Sequence, residues 1–303
     1  MKVLDRAIVR MLPAVPRPVV RRLSAPYIAG STLADARATV ARLNGDGMLA
    51  TIDVLGEEIS RPAEAEAIAQ AYLDVLAAIE EDGLDSSISV KLTGLGLKLD
   101  HALCRGHLEA VVRDAAERDT FVRIDMEDSS CTDETLALYR ELREDGHENL
   151  GIVLQSALRR TVADVGALSD LRPSVRLCKG IYIEPATIAF HEFEAVRANF
   201  LAALDALLAA GCFVGIATHD EWLLGKSLER VDDLREDEYE FQMLLGVRVA
   251  RASELAAAGH RLRVYVPFGR RWYEYSLRRL QENPRIASYV AADTLRRLRP
   301  GRR

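Results

Sequence analysis

The stretch Leu49–Leu92, LATIDVLGEEISRPAEAEAIAQAYLDVLAAIEEDGLDSSISVKL, decides the fold class. It opens on a short apolar run, passes through an amphipathic segment and returns to a second apolar run. Leu49–Val54 reads as a strand. Arg61–Glu81 reads as a helix, with Ser60 as its cap and Gly83 just past its end, and Ser87–Leu92 reads as the next strand. Strand, helix and strand in that order make a parallel βα unit.

The same alternation continues outward from this stretch. Further strands are expected at Thr120–Asp125, Leu150–Gln155, Val175–Lys179, Cys212–Thr218, Tyr239–Gln242 and Leu262–Val266, with a helix over Ala189–Ala210 ended by Gly211. Eight βα units in a chain of 303 residues suggest an α/β protein of the (β/α)8, or TIM-barrel, class. An open doubly wound sheet has the same composition, but it would normally carry a dinucleotide fingerprint. Gly94 and Gly96 follow a strand as G-x-G without a third glycine, and no acidic residue ends the next strand in the ribose-binding manner. That pair reads as a tight loop. The first 46 residues, interrupted by Pro13, Pro16, Pro18 and Pro26, read as additional N-terminal helices packed on a barrel that occupies residues 47–303.

Composition narrows the function. A chain that is 49% hydrophobic and 28% charged can bury a large core, and its net charge of -6 gives no basic footprint for nucleic acid. Cys104, Cys131, Cys178 and Cys212 lie far apart, without the spacing of a zinc site, and read as thiols in a reducing compartment. No metal is expected. The longest apolar run, around Ala206–Thr218, falls short of the roughly 20 residues of a membrane span, and Arg6 and Arg10 interrupt any signal-peptide core. A cytoplasmic location is expected. Arginines cluster at both ends, at Arg6, Arg10, Arg17, Arg21 and Arg22 and at Arg296, Arg297, Arg299, Arg302 and Arg303. Solvated helix faces explain them, as does peripheral docking at the inner face of the cell membrane.

Barrel active sites lie at the C-terminal ends of the strands, and here apolar strands end in polar side chains. Lys91, Asp125, Gln155, Lys179, Thr218 and His219 close their strands, Arg176 precedes one end, and Tyr265 adds a phenol. Near the C-terminus, Tyr275, Arg278, Arg279 and Glu282 share one helical face by their spacing. Two neighbouring guanidiniums are either an exposed ion-pair stripe or, with Lys91, a grip for a ligand carboxylate. There is no serine elbow or H-E-x-x-H motif, whereas Schiff-base chemistry at Lys91 or Lys179 stays open. From the residues alone, the reading is a barrel enzyme acting on a small anion.

The strand-end segments also resemble, in order, those of the proline dehydrogenases. They are Thr51-Ile-Asp-Val-Leu-Gly-Glu57, Ser89-Val-Lys91-Leu-Thr, Ile124-Asp125-Met126-Glu127, Gln155, and Val175-Arg176-Leu-Cys-Lys179-Gly180-Ile-Tyr182. Ala217-Thr218-His219, Glu240-Phe-Gln-Met-Leu-Leu-Gly246, Tyr265-Val-Pro267-Phe-Gly269 and Tyr275-Ser-Leu-Arg278-Arg279-Leu-Gln-Glu282-Asn283 follow, and the length resembles the short monofunctional bacterial form. The resemblance implies a distorted (β/α)8 barrel that holds FAD noncovalently, oxidises L-proline to 1-pyrroline-5-carboxylate by hydride transfer to flavin N5, and passes electrons to a quinone. Carried over by position, Arg176 would lie near N5, and Met126, Gln155, Lys179, Gly180, Ile181, Thr218 and His219 would line the flavin. Lys91, Arg278 and Arg279 would hold the substrate carboxylate, with Asp125 and Glu282 positioning those cations and Tyr265 and Tyr182 walling the ring pocket. Ile181 departs from the family, which often has a small residue after the Lys-Gly pair. The alternatives are a hydroxyproline dehydrogenase, against which a bulky Tyr265 argues, a Schiff-base aldolase, and an inactive binding barrel.

Overall fold

The computed structural model describes residues 17–56, 59–273 and 275–277. Eight parallel strands close on themselves in sequence order: β1 (Leu49–Val54), β2 (Ser86–Val90), β3 (Val122–Ile124), β4 (Leu150–Gln155), β5 (Ser174–Cys178), β6 (Val214–Ala217), β7 (Tyr239–Leu244) and β8 (Leu262–Phe268). Closure is made by β1 and β8, which pair in parallel from Leu49↔Arg263 to Val54↔Phe268. The protein is therefore a barrel and not an open sheet, and no sheet edge is left to attract another strand.

Among the described residues the α-helices α1 (Arg17–Ser24) and α2 (Leu33–Gly45) precede the barrel. Between the strands run α3 (Pro62–Asp82), the single turn α4 (Leu92–Leu95), α5 (His101–Glu117), α6 (Thr132–Glu144), α7 (Thr161–Leu168), α8 (Phe193–Ala209), α9 (Glu221–Val231) and α10 (Val249–Ala257). Their apolar faces pack on the outside of the sheet, where Ile52, Ile88, Val122, Ile124, Ile152, Val175, Leu177, Val214, Ile216 and Phe241 form a continuous dry layer. α2 covers the outside of β1 and β8. The chain after β8 turns back over the strand ends, with Tyr275 buried against Ile28 and Leu55.

Some boundaries differ from the sequence reading, each for a local reason. α3 starts one residue later than expected and Ser60 is not its cap; the Glu64 carboxylate instead accepts the Ser60 and Arg61 backbone N–H groups, at 2.8 and 3.1 Å. At its other end Gly83 takes the left-handed conformation, φ 60°. α8 begins at Phe193 and not at Ala189, because Ala189 is bridged to Leu158. Gly94 lies inside α4 and Gly96 ends it, so the G-x-G pair forms a helical turn.

Within the barrel the alternate side chains are polar, in contrast to the branched aliphatic layers usual for this fold. Thr51 and Asp53 project from β1, Ser87 and Ser89 from β2, Arg123 from β3, Arg176 from β5, Glu240 and Gln242 from β7, and all are buried. Two glycines make room for the largest of them. Gly151 is the register partner of Arg123, and a Cβ at 151 would meet the Arg123 guanidinium, the Phe121 ring and the Ser174 carbonyl together. Gly215 on β6 lies between Arg176 and Glu240, and a Cβ there would overlap the Gln242 amide. Gly151→Ala should therefore destabilise the fold by roughly 1–3 kcal/mol, the usual cost of overpacking. Urea unfolding of the variant is expected to show a lower midpoint with an unchanged slope.

Candidate active site

The strand ends surround a cavity of about 1070 Å³. Its floor is built around one carboxylate. Asp125 follows β3 and its backbone N–H still pairs with the Val90 carbonyl at 2.8 Å, so its side chain projects over the barrel axis. Asp125 Oδ1 accepts from Ser89 Oγ at 2.7 Å and from Arg176 Nη1 at 2.7 Å. Its Oδ2 accepts from Tyr265 Oη at 2.8 Å and from Lys91 Nζ at 3.2 Å. Burial would raise the Asp125 carboxyl, but the Lys91 and Arg176 charges and the Ser89 and Tyr265 hydroxyls outweigh it and hold the group below the ordinary carboxylate range.

Lys91 is held from below as well. Its Nζ donates to Asp53 Oδ2 at 2.8 Å and to Tyr265 Oη at 2.9 Å, so with Asp125 its three N–H donors all have acceptors. A nitrogen so engaged has no lone pair for Schiff-base attack. Asp53 is in turn reached by Tyr72 of α3, whose Oη lies 3.3 Å from Asp53 Oδ1 and donates to the Ser89 carbonyl at 2.8 Å. Burial, followed by the charges of Asp125 and Asp53, pushes the Tyr265 phenol well above its ordinary value, so it stays a protonated donor. Arg176 and Lys91 also lie over the Tyr265 ring, at 5.3 and 5.7 Å from its centroid.

Arg176 is anchored at two of its nitrogens. Besides Nη1, its Nε donates to Gln242 Oε1 at 2.5 Å, and none of the described residues accepts a hydrogen bond from Nη2. Arg176, Lys91, Asp125 and Tyr265 all line the cavity, together with Gln242.

The wall beyond this floor carries the other expected residues: Met126, Gln155, Lys179, Gly180, Ile181, Tyr182, Thr218 and His219 all face the same cavity. Gln155 donates through Nε2 to the Met126 and Glu127 carbonyls, both at 3.0 Å, which leaves Oε1 as its remaining acceptor. Gly180 has φ 97°, and a Cβ there would press on Gln155 Oε1, so both the turn and the approach require glycine. His219 Nε2 accepts the Leu244 backbone N–H at 3.0 Å, which puts the proton of the neutral ring on Nδ1. At the outer end, Asp220 holds Arg197 through two bonds, at 2.9 and 2.7 Å, and Lys179 at 3.4 Å. Burial works against the Asp220 charge, and these cations more than offset it. The Arg197 guanidinium lies 4.1 Å from the Phe193 ring centroid and 4.8 Å from that of Trp222, and both aromatics are partly exposed.

Arg278, Arg279 and Glu282 lie outside the described residues. Tyr275, on the same expected face, lines the cavity. The sequence reading passes over Asp53, Ser89 and Gln242, which sit inside strands rather than at their ends. The alternation of side chains along a strand was the signal that places them inward with Lys91, Arg176 and Tyr265.

Fold and mouth together define a (β/α)8-barrel enzyme with a cation-rich site sunk into its strand ends. The chain belongs to the proline dehydrogenase family: the family model described as proline dehydrogenase matches residues 36–292. It is 39% identical over 273 residues to proline dehydrogenase 1 of Bacillus subtilis subsp. natto, covering 89% of this chain and 90% of the relative. It is 36% identical over 280 residues to the proline dehydrogenase of Deinococcus radiodurans, with 90% of each covered. Among solved structures, proline utilization A from Bdellovibrio bacteriovorus, inactivated by N-propargylglycine, superposes with a TM-score of 0.82 at 23% identity, over 91% of this chain and 36% of that one.

Asp125→Asn should destabilise the protein by about 3 kcal/mol at pH 7, because it strips the shared carboxylate from two buried cations. The folded-state carboxyl is held low, so its contribution is complete above the unfolded value near 3.9 and is lost as pH falls below it. The gap between parent and variant in urea unfolding is therefore expected to hold from pH 7 to about 5 and to narrow below about pH 4.

Proposed function

We propose that this chain oxidises L-proline to 1-pyrroline-5-carboxylate with a noncovalently held FAD, the first step of proline breakdown to glutamate. The observation that carries the reading is the fixed cluster of Lys91, Arg176 and Tyr265 around Asp125 at the floor of a large cavity, in a chain of this family. The residues present fit a flavin dinucleotide. The cavity volume of about 1070 Å³ is ample, Lys179 and Arg197 offer charge for a diphosphate, Phe193 and Trp222 offer aromatic faces, and the Gln155 Oε1 acceptor suits a ring N–H. When bound, the flavin supplies the two-electron acceptor, taking at N5 the hydride lost from the ring carbon beside the proline nitrogen.

The chain's own part is placement and charge. Met126, Gln155, Lys179, Gly180, Ile181, Thr218 and His219 line the cofactor, and Arg176 offers Nη2, from which none of the described residues accepts, to the reacting region, where a fixed cation stabilises arriving negative charge. Lys91, giving up one of its present acceptors for the ligand, holds the substrate carboxylate with Arg278 and Arg279, while Asp125 and Glu282 orient these cations and temper their charge. Tyr265 and Tyr182 wall the ring. No protein nucleophile is required, since the neutral amine's lone pair drives hydride loss. We further propose a quinone as the electron acceptor, reached from a cytoplasmic position by peripheral contact of the arginine-rich termini with the membrane. Among the described residues no helix is long and apolar enough to cross it.

The test is anaerobic addition of L-proline to the FAD-loaded protein. The flavin band is expected to bleach, and a folded, FAD-loaded protein that is not bleached by proline would sink the reading. In Arg176→Ala the bleaching rate should fall by roughly 100- to 1000-fold, the usual effect of removing an electrostatic stabiliser.

Tyr265→Ser should narrow the preference for proline over 4-hydroxyproline, measured as the ratio of kcat/KM values, by on the order of tenfold, as expected when a pocket wall is opened. Tyr265→Phe, which keeps the ring but not its bonds to Lys91 and Asp125, is expected to lower kcat/KM while leaving that ratio near the parent's.

A further inference from the structure

Gln242 lines the floor of the cavity and Glu240 lies behind it, and neither is given a part in the proposed reaction. β5 and β7 are not neighbours, because β6 runs between them. Arg176 on β5 nevertheless reaches Gln242 on β7, its Nε donating to Gln242 Oε1 at 2.5 Å. Contact is possible because the β6 register partner of both Arg176 and Glu240 is Gly215, which contributes no side chain.

An amide can face either way, and a positioning device has to choose. Glu240 makes that choice. Its carboxylate only accepts, and it takes the Gln242 Nε2 hydrogen at 2.5 Å, which leaves Gln242 Oε1 for Arg176. Glu240 is itself fixed by Arg263, whose Nε donates at 2.7 Å, while Arg263 Nη1 donates to the Ala50 carbonyl at 2.7 Å. Burial would raise the Glu240 carboxyl, but Arg263 and Gln242 overcome this and keep it ionised.

We propose that Glu240 and Gln242 are positioning residues for Arg176, forming a hydrogen-bonded chain across Gly215 that fixes which face of the guanidinium meets the cofactor and substrate. The inference rests on the role given to Arg176 above. Nε and Nη1 are the two anchored corners of the guanidinium, so the plane cannot rotate and Nη2 is the corner left for a ligand. The middle member is a neutral amide. The Glu240 charge is spent on Arg263, and Gln242 passes on its orientation without placing a second carboxylate against Arg176, which keeps more of its field than a direct ion pair there would allow.

Two variants break the chain differently. Gln242→Met keeps the length of the side chain and removes both bonds, whereas Gly215→Ala leaves every polar group in place and drives the amide aside. With the FAD-loaded proteins, we expect flavin reduction at saturating L-proline to slow at least tenfold per bound flavin, with KM within about threefold of the parent. The midpoint potential of the bound flavin should become more negative, because the reduced form loses an oriented cation. In an Arg176→Ala background, Gln242→Met should add less than a twofold further loss.

Parent-like rates and potential in the folded variants would overturn the proposal, as would a loss that multiplies fully on the Arg176→Ala background. If one variant fails to fold, the other, with Glu240→Gln, carries the same measurement. Absence of bleaching in the parent itself would instead remove the proline dehydrogenase reading on which this inference depends.

Discussion

One carboxylate, that of Asp125, accepts hydrogen bonds from four side chains that come from three other strands: Ser89, Lys91, Arg176 and Tyr265. Two cations at the floor of a cavity would repel each other and, if desolvated alone, would each cost several kcal/mol. Shared between them, Asp125 makes the pair tenable and sets their separation. The phenol of Tyr265 and the hydroxyl of Ser89 fill the remaining lone-pair directions, so the carboxylate cannot rotate. The geometry of the mouth follows from this point outward.

The barrel interior serves that centre instead of acting as an apolar plug. Asp53 supports Lys91 from β1, and Tyr72 reaches in from α3 to hold Asp53. Glu240 and Gln242 support Arg176 from β7. The stabilising burial is left to the outer face of the sheet, where Ile52, Ile124, Val175 and Ile216 pack with the apolar residues of the helices. The two faces of each strand thus have separate duties, dry packing outside and polar positioning inside. Alternation along the strand keeps them apart.

Much of this was legible in the sequence. Strand positions followed from short apolar runs set off by glycine and charge, and closure into a barrel followed from their number and from the absence of a dinucleotide loop. Lys91, Asp125 and Gln155 were visible because they end or follow apolar strands. Asp53 and Gln242 do not stand out, because each sits inside a run that otherwise looks like ordinary strand, and their contacts span 38 and 66 residues of sequence. Ser60 looks like a helix cap, but the Glu64 carboxylate accepts the backbone N–H groups of Ser60 and Arg61 and takes the task. The start of α8 is not legible in the sequence, because nothing in the composition of residues 189–192 reports the bridge between Ala189 and Leu158.

Gly151 and Gly215 leave two gaps in the inner wall of the sheet, each filled by a long side chain from a neighbouring strand. Neither partner of such a couple can change alone without either a collision or a void. Over generations of sequence drift, position 151 is therefore tied to 123, and 215 to 242. Divergence inside this barrel has to proceed by paired replacement, so a lineage that abandons the chemistry at its mouth would be free to refill these gaps with ordinary aliphatic residues.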